Sequence, residues 1–312
     1  MNPKPHCERP ERRKAVTLIA GLVCKDSIVF AVDSEESGGI TKSTVEKMRR
    51  VPEGGLLGAL GHDPKKRVSV VVSGAGNGPL CDFAMQRITS EARKTSDQKS
   101  AILAIQDILI DIWKVHVPLY PTDPVAADFR LLVGLRAPGD YRPSLYSIQG
   151  TTIIERDKYF TFGSGSVTDY ILEQMYSERM NTEDGIAAAL YMLQIAKRYV
   201  AGVGGASHIL VLRADGTVDE KPSWEISEEE NIARSFNEIS GTLLLSLLRT
   251  RSSPEANFKN HLKDFNKWTQ KLRKKKKQSD TFLDNILKQI EENRMRAEEV
   301  KPSDAQKSEP GQ

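Results

Sequence analysis

The chain has 312 residues, 39% hydrophobic and 28% charged, enough for one sizeable domain with an extension or for two small ones. Its 45 basic and 42 acidic residues leave a net charge of +3, a near balance that gives no reason to expect nucleic acid as a partner. The cysteines Cys7, Cys24 and Cys81 are odd in number and lack metal-ligand spacing, so the sequence reads as cytoplasmic, without structural disulfides.

Residues 1–16 are Pro-rich, polar and charged, with no period that would bury a face, and read as a flexible leader or propeptide. Arg12-Arg13-Lys14 precedes the apolar stretch Ala15 to Val23, which has the outline of an export signal. No small-residue cleavage site follows, however, and the apolar pattern resumes after Lys25-Asp26, as in a hairpin of paired strands, Thr17 to Cys24 and Ser27 to Asp33. No window reaches the roughly 20 apolar residues of a membrane span, so no membrane contact is expected.

Arg67 to Val72 reads as a strand running into the glycine-rich Ser73 to Gly78, with Pro79 opening a helix over 79–94. Ile102, Leu103, Ile105, Ile108, Leu109, Ile112 and Trp113 recur at helical spacing and predict a second helix, ended by Pro118 and Pro121. Strands are predicted at 129–134, 144–148, 151–154 and 159–162. A helix over 166–179 and another capped by Thr182 and reaching Val200 follow, then a last strand from Ser207 to Leu212.

The order strands, two helices, strands, two helices, strand predicts an α+β layered domain. After Trp224 the character changes: Glu228-Glu229-Glu230, Leu243-Leu244-Leu245 and a charged 255–300 region read as helices outside the main core. The expected organisation is therefore a leader (1–16), a domain (17–225), a charged helical extension (226–300) and a disordered tail (301–312). The basic run Arg273 to Lys277 reads as a solvated helix face balanced by Asp280 to Glu292, rather than as a nucleic-acid contact.

The segment from Thr17 to Asp33 resembles the opening of mature proteasome β-type subunits and their bacterial relatives, a family of Ntn hydrolases. In that family the mature chain begins with threonine, an aspartate lies sixteen positions on and a lysine about sixteen further; here Thr17, Asp33 and, with a short deletion, Lys47 match. The resemblance runs on through Phe162-Gly163-Ser164-Gly165-Ser166 and through Thr182 to Gly204-Gly205, about two hundred residues in all. It implies a four-layer αββα sandwich and a threonine peptidase that hydrolyses peptide bonds once the leader is removed. It also implies a homo-oligomeric ring, an ATP-dependent unfoldase as partner, and peptide or unfolded protein as substrate, with no cofactor.

Each residue type has a chemical reason. A threonine hydroxyl is a weak nucleophile, and a free N-terminal amine can act as its base. Lys47, held cationic by Asp33, would disfavour protonation of that amine, and Gly74, just after a strand, would offer a backbone N–H to the oxyanion. By resemblance Ser164 is the supporting serine near the nucleophile; as a residue alone it reads equally as a helix cap or turn.

Three positions depart from the family pattern. Its usual aspartate and serine fall on Val200 and Val203, which cannot orient an amine by hydrogen bonding. Val16, where processed members have glycine, crowds the carbonyl to be attacked. These departures leave open a noncatalytic ring scaffold, or a hydrolase of a small amide on the same fold. His6, His62, His116, His208 and His261 are scattered without ligand or triad spacing and are not read as catalytic, and the 74–78 segment lacks the Lys-Ser or Lys-Thr pair of a phosphate loop.

Overall fold

The structure is a computed structural model that describes residues 17–38, 41–44, 47–52, 62–119, 128–163, 166–248 and 259–274. It divides into a unit up to Arg234 and a second from Ser235 onward.

In the first unit, β1 (Ile19–Val23) and β2 (Ser27–Asp33) form the predicted hairpin and pair antiparallel, Ile19 opposite Val32. They are central in a five-stranded sheet of order β10-β1-β2-β11-β12, where β10 is Tyr159–Phe162, β11 Ser207–Arg213 and β12 Val218–Glu220. A second five-stranded antiparallel sheet has the order β5-β6-β7-β8-β9, built from Met48–Val51, Ser69–Gly76, Phe129–Arg136, Ser144–Gln149 and Thr152–Arg156. Between β2 and β5 lies a small hairpin of β3 (Glu35–Gly38) and β4 (Thr41–Thr44).

Both faces of the central strands are covered, which explains why their sequences are almost continuously apolar. Ile19, Ile28, Phe30 and Val32 point at the other sheet, meeting Val71, Leu132 and Leu145, while the alternate residues Ala20, Leu22, Val29 and Ala31 point at helices α3 (Ser166–Met175) and α4 (Thr182–Tyr199). On the second sheet Val70, Val72, Leu131 and Val133 pack beneath α1 (Gly78–Ala92) and α2 (Gln98–Val115). The result is helices, sheet, sheet, helices: the four-layer αββα sandwich expected from the sequence. Gly134 on β7 makes room between the sheets for Phe30, whose ring atoms would lie 2.7 and 2.8 Å from any Cβ there.

Several elements differ from the sequence reading. β6 does not stop before the glycines but runs through Gly76, because β7 pairs with it all the way, Ser69 opposite Arg136 to Gly76 opposite Phe129. A neighbouring ladder outweighs the low strand preference of glycine. Asn77, not a turn residue, is the N-cap of α1 and accepts from the Leu80 N–H at 3.0 Å. Helix α4 is capped by Asn181 rather than Thr182. Thr182 instead donates to Asp26 Oδ1 at 2.9 Å and, its one proton spent, accepts from Ser27 Oγ at 2.7 Å, fixing the β1–β2 turn to the helix.

Helix α5 (Ser223–Leu248) follows β12 and crosses the unit boundary. In the second unit a helical segment at 259–274 carries Phe265 and Trp268, and the Phe265 ring lies tilted at 6.3 Å from that of Phe236. The leader, the 301–312 tail and Lys275 to Lys277 of the basic run lie outside the described residues. Among the described residues no helix is long and apolar enough to cross a membrane.

Candidate active site

Asp33 ends β2 fully buried, a position that is tolerable for a carboxylate only with several donors. It has three. The Leu18 N–H donates to Oδ1 at 2.9 Å, the Lys47 ammonium to the same oxygen at 3.0 Å, and the Gly204 N–H to Oδ2 at 3.1 Å. Lys47 is itself buried, and its ammonium also donates to the Glu35 carbonyl at 2.5 Å.

The pair spans the sandwich. Asp33 comes from the first sheet, whereas Lys47 immediately precedes β5 of the second and accepts the Gly74 N–H on its carbonyl at 3.1 Å. Removed from water, two opposite charges in contact attract each other more strongly than the same pair at a surface.

Thr17, half-buried, precedes β1 and is fixed through the peptide that joins it to Leu18. The N–H of that peptide is the donor to Asp33, and its carbonyl oxygen lies against Gly163, the residue after β10, so closely that no Cβ fits there. The Leu18 carbonyl in turn accepts the Asp33 N–H at 3.3 Å. The structure thus ties the peptide that follows Thr17 to Asp33, and Asp33 to Lys47, although thirty positions separate Thr17 from Lys47.

The Gly74 N–H, read from the sequence as a donor to an oxyanion, donates to the Lys47 carbonyl at 3.1 Å. The need for glycine there has another cause, since an added Cβ would come within 2.8 Å of Cys81 Cβ on α1. Ser164 lies outside the described residues, as does Val16. Val203 is buried in the core beneath α4, and Val200 packs against the same cluster, so both departures from the family pattern serve packing. His208, half-buried on β11, faces Val32 in register.

Three contributors were not visible as site residues in the sequence: the Leu18 N–H, the Gly204 N–H and the Glu35 carbonyl. All act through the backbone, which no residue type announces; the only signal was the Gly204-Gly205 pair. Ser34 adds support, as its N–H donates to the Ala206 carbonyl at 2.9 Å and its hydroxyl accepts the Ala206 N–H at 2.8 Å. Among the described residues no group of three or more His, Cys, Asp or Glu is arranged to hold a metal ion.

No family model matches the chain. Among curated proteins it is similar to a proteasome subunit beta of Archaeoglobus profundus, 28% identical over 222 residues, covering 69% of this chain and 89% of that protein. It is likewise similar to proteasome subunit beta 2 of Pyrococcus furiosus, 25% identical over 215 residues and covering 66% and 91%. Among solved structures, Anbu, described as an ancestral beta-subunit, from Yersinia bercovieri superposes with a TM-score of 0.58 at 15% identity, covering 77% of this chain and 99% of that one. A structure described as the helical assembly of the Anbu complex from Pseudomonas aeruginosa gives a TM-score of 0.60 at 20% identity, with the same coverage. The domain therefore has the proteasome-like Ntn-hydrolase fold found in Anbu, and its sequence is distantly homologous to archaeal proteasome β subunits.

Proposed function

We propose that the chain is a threonine peptidase of proteasome type, with Thr17 as nucleophile after removal of residues 1–16. The observation that carries this reading is the buried Asp33–Lys47 pair bonded to the peptide directly after Thr17. In the reaction the Thr17 hydroxyl attacks the substrate carbonyl and passes its proton to the freed Thr17 amine. The tetrahedral intermediate collapses to an ester on Thr17 as that proton goes to the leaving amine; water then hydrolyses the ester and restores the hydroxyl. Lys47 keeps a positive charge near the amine and disfavours its protonation, while Asp33 keeps Lys47 charged and in place. Ser164, beside Gly163, would support the nucleophile. Gly74 can serve the oxyanion only by releasing the Lys47 carbonyl.

The substrate in this reading is a peptide or unfolded protein. Archaeal proteasome β relatives and the helical assembly described for an Anbu complex support self-association, here as a homo-oligomeric ring fed by an ATP-dependent unfoldase. A noncatalytic scaffold is the second reading. It is favoured by Val200 and Val203, which fill with packed hydrocarbon the positions where polar groups would orient the amine.

Intact mass and N-terminal sequencing of wild type and Thr17→Ala separate the two. Self-processing predicts that wild type begins at Thr17 and that the variant retains residues 1–16. Both proteins beginning near Met1 would deny Thr17 its free amine and leave the scaffold.

A further inference from the structure

Glu228-Glu229-Glu230 has the pattern of a solvated acidic face, yet Glu230 is turned inward. Its side chain is 15% exposed, and a single oxygen, Oε1, receives the Lys197 ammonium at 2.7 Å and the Ser207 hydroxyl at 2.5 Å. Lys197 lies in the last turn of α4, Ser207 opens β11 and Glu230 belongs to α5, so three elements converge on one atom. The start of α5 is anchored independently by Ile226, buried in the core, and by Lys221, which bonds Glu225 at 2.5 Å and lies 3.4 Å from Glu229.

What Glu230 holds is next to the candidate site. Ser207 is the register partner of Asp33. Between Lys197 and Ser207 runs the connection whose Gly204 N–H donates to Asp33 Oδ2 and whose Gly204 carbonyl accepts the Glu35 N–H at 3.2 Å. That connection contains Gly202 and Gly205 at φ of +90° and +70°, besides Gly204. A segment so rich in glycine has much backbone freedom to lose and keeps one conformation only when restrained from outside.

We propose that Glu230 is a positioning residue of the site: by holding Lys197 and Ser207 at the two ends of this connection, it keeps the Gly204 N–H on Asp33. The start of α5 is then part of the machinery rather than an appendage to it.

The test compares wild type with Glu230→Ala, Glu230→Gln and a control, Ile226→Val, that loosens α5 without touching the carboxylate. Hydrogen exchange is read in peptides covering Leu18 and residues 203–207. Glu230→Ala should speed their exchange roughly tenfold, Glu230→Gln, which keeps an acceptor for both donors, should restore most of the protection, and the control should speed α5 alone. Acceleration confined to α5 in Glu230→Ala, or equal acceleration at 203–207 in the control, overturns the proposal.

A second arm rests on the peptidase reading. With a fluorogenic peptide, Glu230→Ala should lower kcat roughly tenfold at unchanged KM, because the defect lies in geometry rather than in substrate binding. Wild-type kcat in that variant also overturns the proposal. A wild type that neither processes itself nor cleaves the peptide removes the peptidase reading instead, and the exchange arm then decides the role of Glu230.

Discussion

Gly163 holds its Cα against the carbonyl oxygen of Thr17, at a φ of +114° that L side chains rarely adopt. Two independent reasons, a steric one and a conformational one, therefore exclude a Cβ at the residue that backs the proposed nucleophile. Gly163→Ala should destabilise the domain by about 2–4 kcal/mol, more than a surface substitution and as much as a core cavity. Urea unfolding measures it, and a cost below about 1 kcal/mol would mean that β10 moves aside freely.

Asp33 and Lys47 make a buried ion pair whose partners cannot be removed singly without cost. Asp33→Asn and Lys47→Met should each destabilise by about 3–5 kcal/mol, since each leaves the other charge buried and uncompensated. The double variant should cost clearly less than the sum of the two. Additive costs would show that the charges do not depend on each other.

Cys24, buried directly after β1, has its thiol pushed up to about 12, chiefly by burial, with Asp26 and Asp184 adding to the effect. The thiolate is the reactive form, so at mildly alkaline pH Cys24 should resist iodoacetamide in the folded protein and react once the chain is unfolded in urea. Mass spectrometry of the peptide containing Cys24 reads this directly.

His62 is held below its ordinary value of 6.5, first by burial and then by the charges of Arg67 and Arg93, against the opposing pull of Asp63. On the acid side the unfolded chain therefore binds a proton that the folded chain resists. The resulting stabilisation is present above the unfolded value and is lost as pH falls through the folded one. The unfolding free energy of wild type relative to His62→Gln should accordingly decline as pH falls below the ordinary value of 6.5. A constant difference would mean that His62 titrates alike in both states.

The dense apolar runs of β1, β2, β6 and β7 were legible because both of their faces are buried, as were the helix pairs, whose apolar residues recur at helical spacing. β3 and β4 were not, because Glu35–Gly38 and Thr41–Thr44 are polar, without alternation, and pair only with each other. At the site, the types and spacing of Asp33 and Lys47 drew attention to them. Their backbone partners did not, because an N–H from Leu18 or Gly204 is chemically the same as any other. The close approach at Gly74 was legible as a glycine position, but nothing in one strand's sequence names Cys81 as the side chain above it. Glu230 was hidden by its two acidic neighbours.

The Phe30 ring seated over Gly134 acts as a peg in a notch between two plates that carry opposite halves of the site. Asp33 is three residues beyond the peg along one plate, and Lys47 leads directly into the first strand of the other. A slide of one plate along the other would lift the peg out and separate the charges in the same movement. Filling the notch with a side chain should therefore be felt as a misalignment of Asp33 with Lys47, three residues along β2 from the Phe30 ring.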